Sequence, residues 1–147
     1  MYLLKSLGAF KMIQVFCKEK GSGKTKALMS LANSKVNNSK GNLVYIDDDT
    51  RGLLRIHKDI RFICSKDFNI HNYKDFYGFI CGIISKDYDV ESIFIDGILS
   101  DICNNADDFD SILNKLEYLS EKFKVDFYAN VSCEENNIPD TIKKYVV

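Results

Sequence analysis

The most restrictive stretch of this chain is Lys18-Glu19-Lys20-Gly21-Ser22-Gly23-Lys24-Thr25. Before it stands a short apolar run at 12–17 (Met-Ile-Gln-Val-Phe-Cys), which predicts a strand. After it, Ala27, Leu28, Leu31 and Ala32 share one face of a helix predicted over 25–36. A loop of small residues between a strand and a helix can curl so that its N–H groups converge on an anion. The helix N-terminus adds unpaired N–H donors and positive potential. This order of elements therefore predicts phosphate binding. In the pattern G-x-x-x-x-G-K-[ST], Lys18 takes the place of the first glycine, while the Gly-x-Gly-Lys-Thr core is complete. The alternative, a glycine-rich turn carrying a surface lysine, leaves the strand–loop–helix order to coincidence.

The rest of the chain alternates in the same way. Strands are expected at 42–47, 60–64, 91–96 and 125–131, and helices at 73–86 and 107–123, with Pro139 opening a last short helix. Residues 50–59 read as one or two helical turns. Gly78 and Gly82, four apart, suggest close packing of the 73–86 helix on a sheet. Strands and helices alternating at these lengths imply an α/β fold, with a mainly parallel sheet of about five strands covered on both faces.

A chain of 147 residues is one domain's worth. Residues 12–147 are read as that domain, and residues 1–11, which precede a second methionine, as an N-terminal extension of open status. The net charge of -1 argues against a general nucleic-acid coat. No run of about 20 apolar residues suggests a membrane span. The five cysteines, Cys17, Cys64, Cys81, Cys103 and Cys133, form no C-x-x-C pair; most sit among apolar neighbours and are read as small core residues, as expected of a cytoplasmic protein.

Acidic residues are expected at the C-terminal ends of strands, where open α/β sheets bind ligands. Asp96 ends the run Ile93-Phe94-Ile95, a position suited to holding Mg²⁺ through water. Asp47, Asp48 and Asp49 follow the second strand, and Asp47 is the first choice for orienting water or accepting a proton. An acidic turn is the competing reading. Asn130 or Ser132 is placed to meet a γ-phosphate. Arg51, Arg55 and Arg61 offer transition-state charge or plain surface solubility, and His57 and His71 read as surface residues.

With these residues in place, the chain resembles the P-loop NTPase superfamily over 12–132. More narrowly, it resembles small ATP-binding P-loop proteins of clostridia-like Gram-positive bacteria. The second resemblance rests on Lys20-Gly21-Ser22-Gly23-Lys24-Thr25-Lys26, Lys40-Gly41-Asn42-Leu43-Val44, Asp75-Phe76-Tyr77-Gly78-Phe79-Ile80, Ile93-Phe94-Ile95-Asp96 and Ile138-Pro139-Asp140. It implies a three-layer P-loop NTPase-like fold, nucleotide binding by Lys20 to Lys26, and Mg²⁺ held by Thr25 and Asp96. Lys24 and Asp47 are then the catalytic candidates. Gly97 stands where many such ATPases carry a Glu base, and Glu19 where one subclass carries a signature lysine. The Asn-Lys-x-Asp guanine signature is met only by Asn114-Lys115-Leu116-Glu117 inside a predicted helix, read as a solvated face, so ATP is expected over GTP. The expectation is an ATP-binding protein with weak Mg-dependent ATPase activity. The alternatives are a small-molecule kinase of the nucleoside or nucleotide type, or a non-catalytic nucleotide-binding switch. A homo-oligomer or a protein partner stays open.

Overall fold

The computed structural model describes residues 12–133 and 138–147, so the reading of residues 1–11 lies outside the described residues. Five strands form one sheet: β1 (Ile13–Lys18), β2 (Asn42–Asp47), β3 (Ile60–Cys64), β4 (Val90–Asp96) and β5 (Asp126–Ser132). All neighbouring strands are parallel, in the order β1-β5-β4-β2-β3. The helices are α1 (Lys24–Lys35), α2 (Tyr73–Lys86), α3 (Ile98–Ile102), α4 (Ala106–Phe123) and α5 (Asp140–Lys143). Two 3-10 turns, Leu53–Arg55 and Ser65–Phe68, flank β3.

Alternation along the strands divides the core between two faces. Val44, Ile46, Ile93, Ile95, Phe127 and Ala129 join Phe76 and Ile80 of α2 and Ile112, Leu113 and Leu116 of α4 in one cluster. Leu43, Tyr45, Phe94 and Tyr128 point to the other face and meet Leu28, Met29 and Ala32 of α1. The result is the expected three-layer α/β arrangement, with α1 on one face and α2 and α4 on the other. The two longest helices, α2 and α4, start on side-chain caps that their sequences supply. Asn72 accepts from the Asp75 N–H at 2.9 Å, and Asn105 from the Asp108 N–H at 2.8 Å.

Several expectations differ from the structure. Gly78 and Gly82 do not pack on the sheet: both are exposed on the outer side of α2, and a Cβ added at either would meet nothing within 4 Å. The inner side of that helix carries Phe76, Ile80 and Ile84 instead. Cys17 and Cys133 are not separate core residues but are joined in a disulfide across the ends of β1 and β5, with Cα atoms 5.6 Å apart. Asn114 and Glu117 are not simply a solvated face, since both accept from the Tyr145 hydroxyl, at 3.3 and 2.6 Å. Lys18 extends β1 by one residue rather than opening the loop.

A parallel sheet brings the C-terminal ends of its strands to one edge. Lys18, Asp47, Asp96 and Ser132 all end strands there, and the register pairs Lys18 with Ser132 and Asp47 with Asp96. Among the described residues, no helix is long and apolar enough to cross a membrane.

Candidate functional site

The Glu19–Gly23 loop leads from β1 into α1. Its turn is closed by the Ser22 N–H donating to the Glu19 carbonyl at 3.2 Å. Gly21 and Gly23 both adopt φ +83°, a left-handed conformation that side chains disfavour by about 1–2 kcal/mol. Gly23 is the N-cap of α1 and provides no side-chain cap, so the first-turn N–H groups of that helix are left facing the loop. Lys18, in the first motif position, is not among the residues with positive φ, and the departure from glycine there introduces no such strain.

Opposite the loop stands Asp96, only 2% exposed at the end of β4. The Thr25 hydroxyl donates to its Oδ1 at 3.3 Å, and the Asn130 amide reaches the same oxygen at 3.4 Å. The Tyr45 hydroxyl donates to Oδ2 at 2.9 Å. Asn130 also donates to the Lys24 carbonyl at 2.9 Å, tying the first turn of α1 to β5 and, through Asp96, to β4. Burial, then the charge and hydrogen bond of Asp96, raise the Tyr45 hydroxyl far above its ordinary value and keep it a proton donor.

Thr25 and Asp96 thus bring two hard oxygen donors together, a set that suits Mg²⁺. No group of three or more His, Cys, Asp or Glu side chains able to hold a metal occurs among the described residues.

Loop and carboxylates line a cleft of about 730 Å³. Lys20, Gly21, Lys24, Thr25, Asp47 and Asp96 all border it, so the structure brings together most of the residues expected at a site. Ser22, Gly23 and Lys26 are exposed and lie outside its lining. Ser132 reaches the rim, where its N–H donates to Ser100 Oγ at 3.1 Å. Arg51 and Arg55 border the far end, with Arg51 paired to Asp49. Arg61, by contrast, is exposed on β3 and is not in the lining.

Gly97 explains how the carboxylates are arranged. It has φ +82°, and a Cβ there would lie 2.8 Å from Asp48 Oδ1 and 3.0 Å from its Cγ. The space of a side chain following Asp96 is therefore filled by the Asp48 carboxylate, delivered from the end of β2. Asp48 in turn meets both Asp47 and Asp101. Burial pushes the Asp47 carboxyl up to about 8, reinforced by its hydrogen bond with Asp48 and by the charges of Asp96 and Asp48. Asp101 is also raised, by burial first and then by Asp48.

A raised folded pKa means that the folded state holds the proton more tightly than the unfolded chain. Stability from Asp47 is full below pH about 4 and declines as pH rises towards about 8. One proton limits the slope to roughly 1.4 kcal/mol per pH unit. In urea denaturation across pH 4–9, Asp47→Asn is expected to flatten this decline, leaving the smaller contribution of Asp101. An unchanged slope in the variant would rule out Asp47 as its source.

Two side chains that the sequence did not single out complete the frame. One is Tyr45. The other is Asn33 near the C-terminal end of α1, which donates to the Arg55 carbonyl at 2.8 Å and accepts from the His57 N–H at 2.8 Å. His57 itself is exposed, with Nδ1 3.8 Å from Asp59, as is His71.

No protein-family model matches the chain, and a search of curated proteins returns no match. The functional argument therefore rests on the residues of the cleft.

Proposed function

We propose that this chain is an ATP-binding P-loop protein with weak Mg-dependent ATPase activity. The observation that carries the proposal is the juxtaposition of an uncapped helix N-terminus behind two left-handed glycines with a buried Asp96 held 3.3 Å from the Thr25 hydroxyl. In this reading the Lys20–Lys26 backbone and the Lys24 ammonium bind the phosphates, and Thr25 and Asp96 hold Mg²⁺. When bound, Mg²⁺ neutralises charge on the phosphate oxygens. Asp47 and Asp48 lie beside this position, where a carboxylate can orient water or take its proton. In hydrolysis the water oxygen bonds to the γ-phosphorus and the bond to the β–γ bridging oxygen breaks. ADP leaves with that electron pair, and the water proton passes to solvent by way of a carboxylate. Gly97 in the usual place of a Glu base leaves that task to Asp47 and Asp48, which fits slow turnover. ATP is favoured over GTP because Asn114 and Glu117, both in α4, are engaged with the Tyr145 hydroxyl rather than offered to a base.

The extent of the cleft, which runs on to Arg51, Arg55 and Asp101, favours one second reading: a small-molecule kinase with an acceptor beyond the loop. A nucleotide-binding switch, alone or within a homo-oligomer, is the outcome if binding occurs without product. Calorimetric titration with MgATP and MgGTP, followed by phosphate-release assays with and without candidate acceptors, tests these readings. Selective MgATP binding with acceptor-independent phosphate release is the expected result. Absence of binding to both nucleotides overturns the proposal.

A further inference from the structure

We propose that Tyr45 is a positioning residue for Asp96: its hydroxyl holds one carboxylate oxygen in the core, so that the other is presented to Thr25 and to the cation. This inference rests on the Mg²⁺–nucleotide reading above.

Tyr45 is fully buried in the middle of β2, where the strand pattern alone would place an apolar side chain. Its ring lies between Phe62 and Phe94, at centroid distances of 6.0 and 6.1 Å, so a phenylalanine would satisfy the packing. The hydroxyl adds a polar group that burial penalises unless it is paired, and it donates to Asp96 Oδ2 at 2.9 Å. Asp96 is equally buried, and its two oxygens have unlike surroundings. Oδ2 faces Tyr45 in the core, while Oδ1 faces Thr25 and Asn130 at the cleft. Rotation of the carboxylate would exchange the two oxygens, and the phenol bond opposes that exchange. Partners behind a metal-binding carboxylate act in this way, and their removal typically weakens metal affinity by about 10- to 100-fold.

Tyr45→Phe deletes one oxygen and keeps the ring. ATP is titrated into wild type and variant in EDTA, and Mg²⁺ is then titrated into each ATP-loaded, magnesium-free protein. The expected result is a fall of roughly tenfold or more in Mg²⁺ affinity, with ATP affinity in EDTA within about twofold of wild type. A second comparison uses Asp96→Asn: adding Tyr45→Phe to that variant is expected to cause no further loss, because Tyr45 acts through the carboxylate. Wild-type Mg²⁺ affinity in Tyr45→Phe overturns the role and leaves the nucleotide reading standing. So does an equal loss with and without Mg²⁺, which marks a merely structural residue, or an additive loss in the double variant. If wild type binds no ATP under either condition, the nucleotide reading falls and the role of Tyr45 falls with it.

Discussion

Lys24→Ala is expected to weaken MgATP binding roughly 10- to 100-fold, the loss that follows from deleting a charge-assisted contact of about 1.5–3 kcal/mol. The variant separates side chain from backbone unusually well. Asn130 holds the Lys24 carbonyl, not its ammonium, so the tie between α1 and β5 survives truncation. The side chain borders the cleft beside Gly21 and Thr25. The melting temperature should therefore stay within a few degrees of wild type while affinity drops. Calorimetry on both proteins decides the matter: equal MgATP affinity would remove Lys24 from the site and leave the loop a turn with a surface cation.

The largest stability effect is expected from Phe94→Ala. Phe94 is fully buried in β4 on the face that α1 covers, and its ring stacks between Tyr45 at 6.1 Å and Tyr128 at 5.0 Å. Truncating a buried phenylalanine costs about 3–5 kcal/mol, combining lost transfer energy with the cavity left behind. A domain stable by about 5–15 kcal/mol would lose a large part of its margin. Urea denaturation should show a lower midpoint at an unchanged slope. A loss below about 1 kcal/mol would mean that α1 closes over the gap, and that the aromatic row does not set the position of the helix.

Local pattern made much of the fold legible. The apolar runs 42–47 and 60–64 are β2 and β3 with the same limits, and the periodic stretch 73–86 is α2 residue for residue. These segments carry their own periodicity, and the glycine loop carries its own spacing. The short α3 is not legible because Ile98–Ile102 is a single turn behind a left-handed glycine, too brief for a helical period to appear. Strand order was not legible, since which strands adjoin depends on how helices pack rather than on the strands themselves. The hidden parts of the site have the same cause. Tyr45 meets Asp96, 51 residues away, only because β2 and β4 are neighbours in register. Asp48 fills the space above Gly97 for the same reason. An acid triplet can be seen in a sequence, but which of its members faces the neighbouring strand cannot. Cys17 and Cys133 lie 116 residues apart and meet because β5 inserts next to β1.

Asn33 gives α1 a mechanical character. The helix has 12 residues and spans about 18 Å, at about 1.5 Å per residue. At one end stands the glycine loop; near the other, Asn33 grips the Arg55 carbonyl and the His57 N–H. The chain between them, from Asp47 through Arg51 to Arg55, forms the opposite wall of the cleft. The helix is thus a strut with the glycine loop at one end and, at the other, two hydrogen bonds that fasten it to the segment bearing Arg55.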